Sequence, residues 1–185
     1  MDAIVLAGGN ASRLGGVDKA GLVVEGRTLL QRALDATAGA TTTVVVGPTR
    51  STGRAVTWTR ETPPGGGPVA AIAAGLDRVT GELVAVIAVD LLNLEAPDLD
   101  ELAAAAAGRE GAILVDASGR DQPLAGVYRA EALRRVIRAL PSTSGVAMHA
   151  VAGRLDLARL ENDRAAQDCD TPRDLEEARA SEQRR

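Results

Sequence analysis

Two wholly apolar runs, Ala3 to Ala7 and Leu83 to Val89, constrain this chain more than anything else in it. A strand wetted on one face alternates apolar and polar residues. An unbroken aliphatic and β-branched run of this length is a strand covered on both faces. Such a strand requires packing layers above and below it, which excludes an open two-layer sheet. The runs stop abruptly, the first at Gly8-Gly9 and the second at Asp90. Each stop marks a strand tip from which a loop must leave.

The rest of the pattern supplies the covering layers. Thr28 to Ala38 carries Leu29, Leu30, Ala33 and Leu34 at helical spacing and ends at Gly39. Thr42 to Val46 is a β-branched run closed by Gly47-Pro48, and Ala55 to Thr59 predicts a weaker strand. The loop Pro63-Pro64-Gly65-Gly66-Gly67-Pro68 precedes a helix over Val69 to Val79, with Pro68 at its first position. Asp98 to Ala107 predicts a helix, Ala112 to Val115 and Leu124 to Tyr128 strands, and Ala130 to Leu140 a helix. A short helix over Val146 to Val151, an edge segment over Asp156 to Leu160 and a last helix over Arg173 to Arg179, capped by Thr171, complete the order. Strands alternating with helices imply right-handed crossovers and a mostly parallel sheet. The expected fold is therefore α/β: a single-domain, three-layer sandwich in which a mostly parallel, twisted, Rossmann-like sheet has helices on both faces. Without internal repeats or long linkers, the domain is expected over residues 1–180, with 181–185 as a disordered tail.

Composition narrows the function. A net charge of −4 gives no bulk attraction to nucleic acid or to an anionic membrane. Trp58 and Tyr128 are the only aromatic residues, so a base-stacking platform is not expected. Cys169 is the single cysteine and cannot form an intrachain disulfide; it reads as a small hydrophobe near a strand end. No stretch approaches the length of a membrane span, and the N-terminal apolar run lacks the basic lead-in of a signal segment, so the cytoplasm is the expected location. Of the 21 Lys plus Arg, Lys19 alone is lysine. A compact point charge and a wide planar fork are not interchangeable in a tight loop, so a lone lysine in an arginine-rich chain hints at a position where guanidinium does not substitute.

In sheets of this kind ligands bind beyond the carboxyl ends of the strands. The segments expected there are Gly8 to Lys19, Gly47, the loop before Pro68, and Asp90. The first of them, Leu6-Ala7-Gly8-Gly9-Asn10-Ala11-Ser12-Arg13-Leu14-Gly15-Gly16-Val17-Asp18-Lys19, holds four glycines, one arginine and the lysine. Glycines let a backbone approach a ligand closely, and consecutive N–H groups can converge on phosphate oxygens. Arg13 and Lys19 add two cations suited to a triphosphate and a departing pyrophosphate. The segment is not a Walker A loop, because Gly-Lys-Ser/Thr is broken, nor a Gly-x-Gly-x-x-Gly fingerprint, because Gly8 and Gly9 are adjacent.

This segment resembles the signature of the MobA-type molybdenum cofactor guanylyltransferases, members of the wider nucleotide-diphospho-sugar-transferase-like fold. The resemblance continues through Gly67-Pro68-Val69-Ala70-Ala71-Ile72, Arg120-Asp121-Gln122-Pro123-Leu124, and Asp168-Cys169-Asp170-Thr171-Pro172-Arg173-Asp174-Leu175, four blocks in matching order. It implies Mg²⁺-dependent transfer of GMP from GTP to the terminal phosphate of a molybdopterin-type acceptor, with pyrophosphate released and a transient contact with molybdoenzymes or cofactor chaperones. Nucleotide binding is then expected at Leu6, Ala7, Gly8, Gly9, Lys19, Gly47, Glu61 and Asp90, and the catalytic groups are Arg13, Lys19 and Asp90. Asp90, at the tip of an apolar strand, is the natural Mg²⁺ ligand. Asp168, paired with Asp170 just before the last helix, is a second candidate contact. The resembled family usually reads Asp-x-Pro where this chain reads Asp90-Leu91-Leu92, often an asparagine where it has Gly47, and an aspartate where it has Glu61. Leu-Ala-Gly-Gly, where cytidylyl relatives usually read Leu-Ala-Ala-Gly, favours GTP, since Gly8 leaves room for the larger base. Arg120 to Pro123 falls near the acceptor by the same resemblance, or forms a hairpin turn. His149, the only histidine, has no partner motif and reads as a helix-face residue. Two other readings remain open: a nucleotidyltransferase for another nucleotide or phosphorylated acceptor, of cytidylyl or sugar-phosphate type, and a nucleotide-binding paralogue with weakened catalysis.

Overall fold

The computed structural model describes residues 1–8 and 18–166. Along the chain run β1 (Asp2–Leu6), a 3₁₀ turn (Lys19–Gly21), β2 (Val23–Val24), β3 (Arg27–Thr28), α1 (Leu29–Ala36), β4 (Thr43–Val46), β5 (Thr57–Thr59), α2 (Pro68–Leu76) and β6 (Leu83–Ala88). They are followed by α3 (Ala96–Ala105), β7 (Gly111–Val115), β8 (Asp121–Arg129), α4 (Ala130–Arg138), α5 (Met148–Ala152), β9 (Leu157–Glu161) and α6 (Asp163–Ala166). Among the described residues, seven strands form one sheet in the order β5-β4-β1-β6-β8-β7-β9, and β2 pairs with β3 in a separate small hairpin. The β1 pairings with β4 and β6 are parallel, as are β4 with β5 and β7 with β9. Only β8 runs the other way, against both β6 and β7.

The two apolar runs are the centre of this sheet, β1 and β6, side by side. Their alternate residues feed two separate cores, as the strand's two-residue period demands. Ala3 and Val5 of β1, with Ala85 and Ile87 of β6, pack toward α1, α3 and α6; Ile4 and Leu6, with Val84 and Val86, pack toward α2, α4 and α5. The three-layer α/β sandwich is thus the direct consequence of strands with no polar face.

The antiparallel β8 has a local cause. Only Asp116 to Arg120 separate it from β7, and a connection that short reverses the chain rather than crossing over. The Asp116 N–H donates to the Arg120 carbonyl at 3.1 Å, and the Gly119 N–H to the Asp116 carbonyl at 2.9 Å, with Gly119 at φ 81°. The strand therefore begins at Asp121, three residues before the apolar run that reveals it in sequence, and Arg120 to Pro123 forms the end of a hairpin. The β2–β3 hairpin and the 3₁₀ turn at Lys19 carry too few residues for a periodic signal.

Helix ends are satisfied by side chains. At the start of α1 the Thr28 hydroxyl accepts from the Gln31 N–H (3.1 Å) while the Gln31 side chain accepts from the Thr28 N–H (2.8 Å), a reciprocal cap. At its far end Arg54 donates to the carbonyls of Leu34 (2.7 Å) and Thr37 (3.4 Å). Arg134 does the same for α2 through Leu76 (3.0 Å) and Val79 (2.7 Å). A guanidinium fork reaches two carbonyls at once, which a lysine's single ammonium does less well.

At the edge of the sheet opposite the strand tips, Asp2 is buried, and its carboxylate accepts from the backbone N–H groups of Thr42 (3.2 Å), Thr80 (2.9 Å) and Gly81 (2.7 Å). One side chain thus ties β1 to the loops leading into β4 and β6. Asp2→Ala strands three donors and should cost about 2–3 kcal/mol, the scale of hydrogen bonds to a buried charged acceptor. A urea midpoint unchanged from wild type would contradict this accounting.

Candidate active site

The carboxyl ends of β1, β4, β5 and β6 lie side by side and are locked to the rim by ladder hydrogen bonds. The Ala7 N–H donates to the Val46 carbonyl (2.9 Å), the Val89 N–H to the Leu6 carbonyl (3.1 Å), and the Gly47 N–H to the Thr59 carbonyl (3.0 Å). Gly47 is where β4 presses hardest on β1. A Cβ there would lie 2.8 Å from the Ala7 carbonyl carbon and 2.9 Å from Gly8 N, and φ is 154°. The residue that departs from the resembled family therefore has a structural reason: no side chain fits between the two strand tips. Gly8 itself is exposed, and a Cβ on it would meet only ordinary contacts at 3.6 Å.

Lys19 opens the 3₁₀ turn that follows the glycine-rich segment, and Asp90 follows β6. The Lys19 Nζ donates to the Asp90 Oδ2 at 2.8 Å, across 71 positions of sequence, with the two side chains 18% and 19% exposed. Sequence reasoning nominated both residues separately, and the fold brings them into contact at the strand tips. Gly9, Arg13, Asp168, Cys169, Asp170 and the expected last helix lie outside the described residues.

The loop after Asp90 lacks the family's proline, yet it is held firmly. Leu91, Leu92 and Leu94 are all buried in the core beneath α1 and α3. Arg32 reaches from α1 to donate to the Val24 carbonyl at 3.0 Å and to the Leu92 carbonyl at 3.5 Å, and Arg164 donates to the Asn93 carbonyl. Aliphatic burial takes over the restraint a proline ring would impose on the backbone.

Glu61 accepts from the Gly65 N–H at 2.9 Å, so in this structure its carboxylate shapes the loop leading into α2. Of the Arg120 to Pro123 block, Asp121 is engaged by Arg159 through two hydrogen bonds, Nε at 2.8 Å and a terminal nitrogen at 2.9 Å. That guanidinium, with His149 adding to the field, holds the Asp121 carboxyl below its ordinary range. The group is a counter-ion rather than a base. Gln122 donates to Asp116 at 3.0 Å. The Ser118 hydroxyl, the Arg120 N–H and Gln122 together bring the Asp116 carboxyl down to about 2. The His149 Nε2 sits 3.2 Å from the Asp121 carbonyl oxygen on a helix face. The ion pair of Asp18 with Arg50, the Arg32 brace and the Asp121–Arg159 pair were not legible in the sequence. With arginine this abundant, nothing in the pattern selects one partner for an acid thirty or more positions away.

A metal at this edge has to be held in part by its substrate. Among the described residues no three His, Cys, Asp or Glu side chains cluster closely enough to cage an ion. Asp90 alone offers a strand-tip carboxylate. One carboxylate completed by phosphate oxygens and water is how Mg²⁺ is commonly held in nucleotide sites, so the residues fit a substrate-bridged magnesium and not an all-protein cage.

The MobA-like NTP transferase domain model matches residues 3–159. The chain belongs to this family. Its class is accordingly nucleotidyltransferase, and the MobA-like domain is an enzyme of that class. It is 36% identical over 143 residues to the "Probable molybdenum cofactor guanylyltransferase" of Opitutus terrae, covering 74% of this chain and 70% of that protein. In fold it is similar to the crystal structure of molybdopterin-guanine dinucleotide biosynthesis protein A from Archaeoglobus fulgidus, with TM-score 0.74, 21% identity and all of each chain covered. It is equally similar to 2-C-methyl-D-erythritol 4-phosphate cytidylyltransferase from Thermus thermophilus, with TM-score 0.73, 20% identity and 99% of this chain and 100% of that one covered. The shared α/β sandwich therefore establishes the architecture of the MobA-like domain without choosing its base. No helix among the described residues is long and apolar enough to cross a membrane.

Proposed function

We propose that this MobA-like domain transfers GMP from GTP to the terminal phosphate of molybdopterin and releases pyrophosphate. The observation that carries the reading is the Lys19–Asp90 pair at glycine-lined strand tips. A cation and an anion in contact there offer one partner for phosphate oxygens and one for the metal that accompanies them. The backbone from Leu6 to Gly9, Gly47 and Glu61 form the nucleotide side of the site, and Arg13 joins Lys19 on the triphosphate. An oxygen of the acceptor phosphate attacks the α-phosphorus in line, and the bond from that phosphorus to the bridging oxygen of pyrophosphate breaks. A phosphate monoester dianion is already nucleophilic, so no side chain has to remove a proton; this agrees with Asp121 and His149 being engaged elsewhere. Lys19 then meets the negative charge that builds on the leaving pyrophosphate, where a preplaced ammonium acts most strongly. Asp90 would hold Mg²⁺, with Asp168 as a second contact, and the ion would supply charge neutralisation at the phosphates.

The relative from Opitutus terrae supports the guanylyl branch, as does the open space over Gly8. The cytidylyltransferase from Thermus thermophilus, of the same fold, favours the second reading: another nucleotide, or another phosphorylated acceptor. Incubating the protein with Mg²⁺, molybdopterin and each of the four NTPs, with products read by mass spectrometry, separates the two. A guanine dinucleotide product from GTP is expected. Transfer only from CTP, or only to a sugar phosphate, would establish the second reading. Tight GTP binding without pyrophosphate release would point to a weakened paralogue. The soluble substrates are in keeping with the cytoplasm as the place of action, with molybdoenzymes or cofactor chaperones as recipients.

A further inference from the structure

Next to Lys19, the Asp18 carboxylate is gripped by Arg50, which stands in the loop that leaves β4 beyond Gly47. One terminal nitrogen of Arg50 donates to Asp18 Oδ2 and the other to Oδ1 at 3.2 Å. A two-point grip of this kind fixes the plane of the carboxylate as well as its position. The grip has a built seat. Gly21 faces it, and a Cβ there would lie 3.1 Å from Asp18 Oδ2 and 3.7 Å from the Arg50 guanidinium. Asp18 also occupies the cap position of the 3₁₀ turn, but its side chain makes no capping bond and is given to Arg50 instead. The Arg50 side chain is 22% exposed, and its Nε is buried without a hydrogen-bond partner, a cost accepted for the placement of the two terminal nitrogens.

We infer that Arg50 is a positioning residue: by clamping Asp18 it fixes the backbone from which Lys19 reaches Asp90. The clamp joins the tip of β4 to the segment carrying the lysine, while Asp90 is fixed independently through β6 and its buried leucines. Lys19 would otherwise swing on the flexible end of a glycine-rich connection. The kinetic part of this inference rests on the transferase reading; the placement of Lys19 does not.

Lys19 is the only lysine, so its ε-amine can be followed alone beside the α-amine. Reductive methylation with ¹³C-formaldehyde, read by NMR, gives its labelling rate in the wild type, Arg50→Gln, Asp18→Asn and the double variant. Each single change should raise the rate about fivefold, the lower part of the range for coupled residues of one network. The double change should add nothing, because both cut the same contact. Unchanged rates, or rates that multiply, overturn the inference. Asp18→Asn is isosteric, and thermal melts identify any variant that is merely unfolded. In the transfer assay Arg50→Gln should lower kcat about tenfold with KM for the nucleotide within about twofold, a split that general loss of fold does not produce. A wild-type protein with no transfer would sink the functional reading and leave the labelling result to decide on Arg50.

Discussion

Lys19→Ala and Asp90→Ala should each lower turnover by at least ~100-fold, the scale on which a single preplaced transition-state contact is lost. The two residues touch at 2.8 Å, each about four-fifths covered, at the rim of the sheet and away from both cores. Removing either leaves its partner within reach of water, so the melting temperature should move little; a partly exposed pair of this kind contributes about 1 kcal/mol or less. Activity and stability therefore part company, which distinguishes a chemical role from a structural one. Lys19→Arg should fail to restore the rate, because a planar fork does not occupy the place of a compact ammonium facing one carboxylate oxygen. Steady-state pyrophosphate release measures all three variants. Rates near wild type for the two alanine variants would remove both residues from the mechanism.

The second large effect is expected at Gly47, and it runs against family habit. Installing the asparagine often found there in the resembled family should damage this protein. The Cβ alone would stand 2.8 Å from the Ala7 carbonyl carbon and 2.9 Å from Gly8 N, which are backbone atoms that cannot rotate away. Relief requires parting the tips of β1 and β4, with loss of the hydrogen bond from Ala7 N–H to the Val46 carbonyl. Backbone strain and overpacking of this sort cost about 3 kcal/mol. Because the displaced peptide is the floor of the proposed nucleotide site, affinity for the nucleotide should fall by about tenfold or more, one lost contact of roughly 1.4 kcal/mol. Gly53→Asn is the control, since a Cβ at Gly53 meets nothing within 4 Å. Differential scanning calorimetry and nucleotide titration read the two effects. An unperturbed Gly47→Asn protein would mean that the two strand tips separate freely, contrary to their packing.

The departures from the family pattern thus have different physical meanings. Gly47 is enforced by a backbone contact that leaves no space for a side chain. Leu91-Leu92, in place of a proline-bearing turn, substitutes burial for ring rigidity, with Arg32 and Arg164 holding the carbonyls of Leu92 and Asn93. Glu61 reaches the Gly65 N–H and stiffens its own loop. None of these could be told apart from sequence, where each is simply a mismatch.

What the sequence by itself determined follows from patterns that repeat over several residues. The unbroken apolar runs of β1 and β6 demanded cover on both faces and so dictated the three layers, and glycine and proline marked where strands end and α2 begins. The glycine-rich segment with its single lysine, and an aspartate ending an apolar strand, identified two halves of the site because those residues are out of place in a merely structural role. Only the tertiary structure decided the rest. The contact between Lys19 and Asp90, the clamp of Asp18 by Arg50, the ties made by Asp2 and the reversal of β8 all depend on which residues become neighbours in space. A local pattern records the environment that a residue needs. It does not record which of twenty similar arginines, or which of several loops, the fold will bring to meet it.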